Sequence, residues 1–223
     1  MPNHRRSTEA IYERRRENEV KVCRYAPCKN LRRGLSRFCT YHEGKQTRYG
    51  HPEGCFVPPR QYLGEMDEAR MFVEKHLGHK AVQATIEWFD VWLREAANGI
   101  PVLARAEFRR LAEHGVTGKD CVVSVLAVWL YAHRRPAALP SDARLTFAIA
   151  LSVLYLAPRE KKVSWRNGKA KEYGKHIGHR IRRDVGRLIR TTLGLFLYNA
   201  VAEMNKESDR ENDLKLALAM TFQ

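Results

Sequence analysis

The chain has 223 residues, enough for one sizeable hydrophobic core and a small additional module. Its 40 lysines and arginines against 25 aspartates and glutamates give a net charge of +15, which indicates a polyanionic partner. The first residues lack the apolar stretch and cleavage site of a signal peptide, and no apolar run reaches the ~20 residues of a membrane span. These features predict a cytoplasmic protein and argue against a membrane partner.

The basic residues are concentrated in two blocks. Residues 1–60 hold 14 basic and 6 acidic side chains, and residues 159–190 hold 12 and 3. Residues 61–158 between them hold 11 of each. A surface that is basic only for solubility would not leave the middle of the chain neutral. The two blocks therefore predict two regions that contact a polyanion such as nucleic acid.

A basic helix is predicted for residues 1–20. Ser7 and Thr8 are typical of a helix N-cap, the following segment is rich in Glu and Arg, and the helix is expected to end near Glu19. The run of three arginines at 14–16 lies on this helix. By itself such a run indicates only a solvated helix face.

Residues 21–56 contain a complete set of metal-ligand side chains. They follow one another as Cys-x4-Cys-x10-Cys-x2-His, at Cys23, Cys28, Cys39 and His42. Three thiolates and one imidazole fill a tetrahedral zinc site, which indicates a structural ion because no coordination position stays open. A tight turn between the first two ligands, and a helix that carries the last two, are the plan of a treble-clef zinc finger.

Three other side chains bear on this assignment. His51 and Cys55 follow the set closely and are alternative ligands, although the x2 spacing favours His42. Cys121 stands in an apolar run and is predicted to be a small buried hydrophobic residue.

The same stretch resembles a small zinc module of phage and mobile-element proteins. The resemblance is confined to residues 23–52 and rests on Gly34-Leu35, Phe38-Cys39-x-x-His42 and Arg48-Tyr49-Gly50-His51-Pro52. Modules of this kind often accompany homing-type nucleases or DNA-binding domains. The resemblance implies Zn²⁺ as the cofactor and a DNA-associated protein of phage or mobile-element origin, in the cytoplasm or nucleoid of a bacterial host.

Prolines mark the boundary between this module and the rest of the chain. Residues 57–61 include Val57-Pro58-Pro59 and are predicted to form a stiff linker. Residues 62–223 are then a separate helical domain. Apolar residues at helical spacing predict helices over 64–76, 80–97, 103–114, 119–133 and 141–157. The last two are apolar nearly all round, so we expect them at the centre of a helical bundle.

The helices predicted at 103–114 and 119–133 also have the spacing of a helix-turn-helix, with Gly115 in the turn. A recognition helix needs polar side chains that reach base edges, whereas residues 122–129 are almost entirely apolar. The pattern therefore favours a packed helical hairpin. Thr117 with Asp120, and Ser141, are the predicted N-caps of the next two helices.

The second basic block predicts a hairpin and a long helix. Asn167-Gly168 is typical of a two-residue hairpin turn, so residues 163–171 are expected to form a short basic β-hairpin. A helix is predicted from 174 to about 205, with an apolar face on one side. The opposite face carries a stripe of arginines: Arg180, Arg183, Arg187 and Arg190.

The sequence predicts a binding protein rather than an enzyme. No phosphate-binding loop, nucleophile elbow or His-Glu-x-x-His motif is present, and the acidic residues are not clustered as a two-metal nuclease requires. The expected partner is a nucleic acid, with DNA favoured over RNA through the resemblance. The predicted nucleic-acid-binding residues are Arg32, Arg33, Arg37, Arg48, Lys161, Lys162, Trp165, Arg166, Lys169, Lys171, Arg180, Arg183, Arg187 and Arg190. Two alternatives stay open, a protein-interaction adaptor and a nuclease-related protein.

Overall fold

The computed structural model describes residues 3–54, 56–95, 100–159, 161–166, 169–174 and 177–221. The chain divides into two compact units, Met1–Phe56 and Val57–Gln223. The division falls at the start of the segment predicted as a proline-rich linker. Within the described residues the fold is mainly α, as predicted, with eight α-helices and one two-stranded sheet.

The first unit contains two helices, α1 (Asn3–Glu19) and α2 (Thr40–Tyr49). The predicted N-cap at Ser7 and Thr8 is wrong, because α1 already begins at Asn3 and these residues lie inside it. Arginine is a good helix former, so the pair before Ser7 extends the helix toward the N-terminus. Between the helices, Val22 and Leu31 form an isolated antiparallel bridge.

Polar contacts fix the last turn of α1 to the loop before α2. Asn18 donates from Nδ2 to the carbonyl oxygens of Gly34 at 2.8 Å and Ser36 at 2.6 Å. The Glu19 carboxylate accepts from the backbone N–H of Gly34 at 3.0 Å. Residues 8–17 are exposed. This helix therefore buries almost no apolar surface and depends on its anchored end.

The second unit is a helical bundle. Short 3₁₀ turns at Pro59–Gln61 and Val102–Ala104 precede its first and third helices. Its helices are α3 (Leu63–Lys75), α4 (Lys80–Glu95), α5 (Arg105–Glu113), α6 (Gly118–Arg134), α7 (Asp142–Leu154) and α8 (His179–Thr221). The predicted end of α4 at 97 lies outside the described residues.

Helix α6 lies at the centre of this bundle and packs against α3, α4, α7 and α8. Every residue from 121 to 128 is buried, so this stretch offers no exposed face to a nucleic-acid groove. This burial agrees with the argument against a recognition helix. The predicted packed hairpin is not what the pair forms, because α5 and α6 are bent by 113° and α5 packs mainly against α4 and α7. Among the described residues, no single helix is both long and apolar enough to cross a membrane, although the bent pair Val102–Glu113 and Gly118–Arg134 passes by length and composition together.

Both predicted N-caps of the bundle are confirmed. Thr117 Oγ1 accepts from the N–H of Asp120 at 3.2 Å, and the Asp120 carboxylate accepts from the N–H of Thr117 at 2.9 Å, which makes a capping box. Ser141 Oγ accepts from the N–H of Arg144 at 3.3 Å. α7 nevertheless ends at Leu154, before its predicted end at 157, where Arg110 binds the carbonyl groups of the chain leaving the helix.

The predicted hairpin is present and longer than expected. Strands β1 (Lys161–Arg166) and β2 (Lys169–Gly174) pair in antiparallel register, from Lys161 opposite Gly174 to Arg166 opposite Lys169. Its turn, Asn167-Gly168, lies outside the described residues. Because β2 continues to Gly174, α8 begins later than predicted. It also passes 205 and reaches Thr221, since residues 206–221 contain no glycine or proline that would end it.

Candidate metal centre and basic surfaces

The first two ligand candidates lie on a narrow loop closed by the Val22–Leu31 bridge. Cys23 donates its backbone N–H to Asn30 O at 2.8 Å, which holds the two sides of the loop together. Cys28 donates its N–H to Tyr25 O at 2.9 Å, which forms the tight turn predicted between the first two ligands. Both sulfur atoms therefore face the same region.

The other two ligand candidates come from the start of α2. Cys39 is the N-cap residue of this helix and His42 lies in its first turn. His42 Nδ1 lies 3.4 Å from Cys39 Sγ and 3.5 Å from Cys23 Sγ, and the Sγ atoms of Cys28 and Cys39 are 3.9 Å apart. All four potential ligand atoms lie within 4.8 Å of one another. These four residues are therefore close enough to bind one metal ion.

Hydrogen bonds from the backbone support a thiolate in this cluster. Burial opposes ionisation of Cys39, but the backbone N–H groups of His42 and Tyr41 and the neighbouring thiols hold the pKa of Cys39 below its ordinary value. Cys23 Sγ accepts the backbone N–H of Cys39 at 3.3 Å. N–H groups directed at sulfur stabilise its charged form, which is the form that binds a metal.

The reserve ligand His51 lies outside the cluster. Its Nδ1 accepts the backbone N–H of Glu53 at 3.2 Å. Its ring lies edge-on to Tyr25, with the centroids 6.4 Å apart, while Tyr25 also packs against His42 at 4.7 Å. Tyr25 therefore packs beside the cluster, a contact that the sequence did not predict. Cys55, the other reserve ligand, lies outside the described residues.

Cys121 is the small buried residue that was predicted. Its side chain is fully buried in α6, and this burial raises the pKa of its thiol far above the ordinary value. A thiol in such surroundings is inert as a nucleophile or ligand at neutral pH.

The predicted phosphate contacts of the first unit differ in what they touch. Arg32 donates from Nε to Val22 O at 2.9 Å and from Nη1 to Asn18 Oδ1 at 3.1 Å. It therefore ties the loop to α1, and its prediction as an open surface cation needs this correction. Arg33, Arg37 and Arg48 are exposed.

The predicted contact residues of the hairpin are described by their backbone alone, so they are placed by strand. The side chains of these residues lie outside the described part of the chain: Lys161, Lys162, Trp165, Arg166, Lys169 and Lys171.

The arginine stripe on α8 is exposed at its start and in contact with α7 at its end. Arg180, Arg183 and Arg187 are exposed, and Arg183 pairs with the adjacent Asp184 at 2.9 Å. Arg190 instead donates to Thr146 Oγ1 at 2.8 Å and pairs with the Asp142 carboxylate at 3.0 Å. The expectation that all four arginines project into solvent is thus wrong for Arg190, because α7 supplies acceptors beside it.

One further arginine of α8 did not stand out in the sequence. Arg182 is buried, with its guanidinium group 5.7 Å from the centre of the Phe147 ring. It lies next to the exposed Arg183, so only its position on the helix, between the apolar and the basic face, distinguishes it in the sequence.

Comparisons with known proteins assign no relative. No protein-family model, no curated protein and no solved structure matches this chain. The chemistry of the metal cluster and of the basic surfaces is therefore the basis for any functional proposal.

Proposed function

We propose that this protein binds nucleic acid without cleaving it, and that a structural zinc ion holds its first unit in the binding conformation. The observation that carries the proposal is the exposure of arginines on the first unit and along the start of α8, two segments separated in the chain by the charge-neutral residues 61–158. The proposed partner is DNA or RNA of the cytoplasm, with DNA preferred through the resemblance to phage and mobile-element zinc modules.

The distances in the cluster support zinc as its ion. Zinc binds thiolate sulfur at about 2.3 Å and imidazole nitrogen at about 2.0 Å, usually as a tetrahedron. A tetrahedron of that size separates two sulfurs by about 3.8 Å and a sulfur from a nitrogen by about 3.5 Å. The observed separations of 3.9, 3.5 and 3.4 Å fit these values. With four protein ligands the ion would have no open position for substrate, which favours a structural role.

The arginines suit a phosphate backbone. A guanidinium group is always charged and forms two parallel hydrogen bonds to phosphate oxygens. Surface ion pairs of exposed arginines contribute little to folding stability, so these side chains are not needed to hold the fold and can bind phosphate instead. If about four to six cations meet phosphates, the logarithm of affinity falls with the logarithm of salt at a slope of about −4 to −5.

The test is binding to three labelled 20-nucleotide probes, namely duplex DNA, single-stranded DNA and single-stranded RNA, over a range of salt. We expect R183E/R187E to weaken binding to every sequence and to flatten the salt slope by about one to two. The matched control is R70E/R109E, which makes the same charge change at exposed positions in the neutral middle. It should retain most of the affinity.

Three results would count against the proposal. Absence of salt-sensitive binding to all three probes would leave the adaptor hypothesis, in which the basic surfaces contact another protein. Equal losses in the two double variants would indicate a diffuse charge effect. Cleavage of plasmid or RNA with Mg²⁺ or Mn²⁺, lost in a point variant, would show a nuclease instead.

A further inference from the structure

The first unit contains an open groove between its two helices. The groove has a volume of 860 Å³. It is lined by Arg15 of α1, by residues 33–36 of the connecting loop, and by Thr40, Glu43, Gly44 and Arg48 of α2. Thr40, Gly44 and Arg48 are four residues apart in turn, so they share one face of α2.

The residues that line this groove include three arginines and only one carboxylate. Arg15, Arg33 and Arg48 carry the positive charge, and Glu43 is the acidic residue. The groove is therefore a basic channel. Its remaining lining is small or hydroxylic, apart from Leu35, so a ligand that fits it is polar and anionic.

One of the arginines is held in position by the fold. Arg15 Nε donates to the Glu19 carboxylate at 3.0 Å, and the same carboxylate accepts the N–H of Gly34 at 3.0 Å. The pairing with Arg15, and then the Gly34 bond, hold the pKa of Glu19 below its ordinary value. The bond to Glu19 uses only Nε of five guanidinium N–H donors, so Arg15 is oriented and keeps donors for a ligand.

Gly44 leaves the backbone of α2 open toward the groove. It lies inside α2, where glycine is less favourable than alanine. Apart from the chain neighbours and the nearby backbone of α2 itself, no described atom lies within 4 Å of the position that a Cβ atom would take, so tertiary packing does not require glycine here. A ligand in the groove can therefore approach the backbone of α2 closely at this position.

We propose that this groove binds one phosphodiester strand of a nucleic acid, with Arg15, Arg33 and Arg48 on its phosphates and Gly44 as the point of closest approach. The inference rests on the proposed function and assigns a site to it. A strand rather than an isolated phosphate is favoured because the three arginines come from three separate segments along an open channel.

The experiment compares variants for affinity to whichever of the three 20-nucleotide probes the parent binds most tightly. R15Q/R33Q should lose about tenfold or more in affinity and flatten the salt slope by about two. Its control, K21Q/K29Q, removes the same charge from exposed positions of the same unit outside the groove. It should lose no more than about threefold.

A size series at Gly44 separates binding from folding. Gly44→Ala should make the first unit more resistant to denaturant, and Gly44→Gln should fill the groove without changing its charge. Affinity should fall in the order Gly, Ala, Gln while zinc content stays constant. Removing the opposing charge in Glu43→Gln should raise affinity.

The outcomes separate this inference from the proposed function. If R15Q/R33Q and Gly44→Gln bind like the parent while R183E/R187E does not, the groove inference is overturned and the proposed function stands. If the parent binds no probe, the proposed function itself fails. Displacement of the probe by inorganic phosphate at equal phosphate concentration would show a small-anion site, and would overturn the assignment to a strand.

Discussion

The two units of this chain are held together by different means. Among the described residues of Met1–Phe56, the buried side chains are Cys23, Cys39, His42 and Pro52, and three of these four belong to the metal cluster. The unit Val57–Gln223 instead has a contiguous apolar core that includes Phe89, Phe108, Leu126, Leu130 and Ile149.

This difference predicts that the two units meet the same stability requirement in two ways. A segment of about fifty residues buries too little apolar surface to fold by that alone, and metal ions or disulfides usually supply what is missing. A bundle three times larger needs no such help. We therefore expect metal removal to act on the first unit and core substitutions to act on the second.

The largest expected effect is the loss of the first unit on metal removal. Cys39→Ser removes a ligand while placing a residue that is favoured at the N-cap of α2, and a strong zinc chelator removes the ion itself. Either change should release about one zinc ion per chain and unfold residues 1–56, because a structural zinc site contributes folding free energy directly. Elemental analysis and two-dimensional NMR spectra measure the two effects.

The control for this experiment is Cys121→Ala, which changes the buried cysteine of the second unit and should leave the zinc content unchanged. Helical circular dichroism should fall only by the contribution of α1 and α2. A complete loss of helical signal on chelation would contradict the independence of the two units. Full zinc retention in Cys39→Ser would remove the metal assignment.

The cluster could be predicted from the sequence because its ligands are local. Cys39 and His42 are three residues apart, and Cys23 and Cys28 are joined by one tight turn. The role of Arg32 could not be predicted, because its partner Asn18 lies on α1 and the approach of that helix is not encoded in any spacing. Contacts between residues close in the sequence can be predicted from their spacing, whereas the partner of a long polar side chain depends on tertiary packing.

The second effect concerns a charge inside the apolar unit. Arg110 is buried and donates to the carbonyl oxygens of Leu154, Ala157 and Pro158 at 2.7, 2.8 and 2.6 Å. Its partner Glu107 is also largely buried. Arg110→Met should lower the free energy of unfolding of the bundle by about 3–5 kcal/mol, because it leaves these acceptors and the carboxylate without their donor.

The adjacent Arg109 supplies the matched control, since it is exposed on the same helix. Arg109→Met should change the free energy of unfolding by no more than about 0.5 kcal/mol. Chemical denaturation followed by tryptophan fluorescence measures both variants, and neither should alter zinc content. Equal stability of the two variants would show that Arg110 does not hold the end of α7.

The two arginines also mark a limit of sequence analysis. Arg109 and Arg110 are the same residue type at neighbouring positions, and periodicity alone places Arg110 beside the apolar face with Phe108 and Leu111. Nothing in the sequence indicates that carbonyl groups from the end of α7, more than forty residues away, meet it there. The same fact explains why the end of α7 was predicted too late.

The smallest expected effect comes from a single methyl group on α8. A Cβ atom at Gly186 would lie 2.0 Å from the carbonyl oxygen of Thr146 on α7, and 2.9 Å from its Cγ2 atom. Backbone cannot move aside as a flexible side chain does, so α7 and α8 would have to separate. Gly186→Ala should therefore lower the free energy of unfolding by about 1–3 kcal/mol, although alanine is the better helix former.

Gly194 on the same helix is the control position for this prediction. No described residue lies within 4 Å of a Cβ atom at that position, so Gly194→Ala should only lower the entropy of the unfolded chain. It should raise the free energy of unfolding by about 0.5–1 kcal/mol. Opposite signs for one substitution at two positions of α8 would show that packing against α7 decides the outcome. Stabilisation by both would mean that the two helices do not approach each other closely at Gly186.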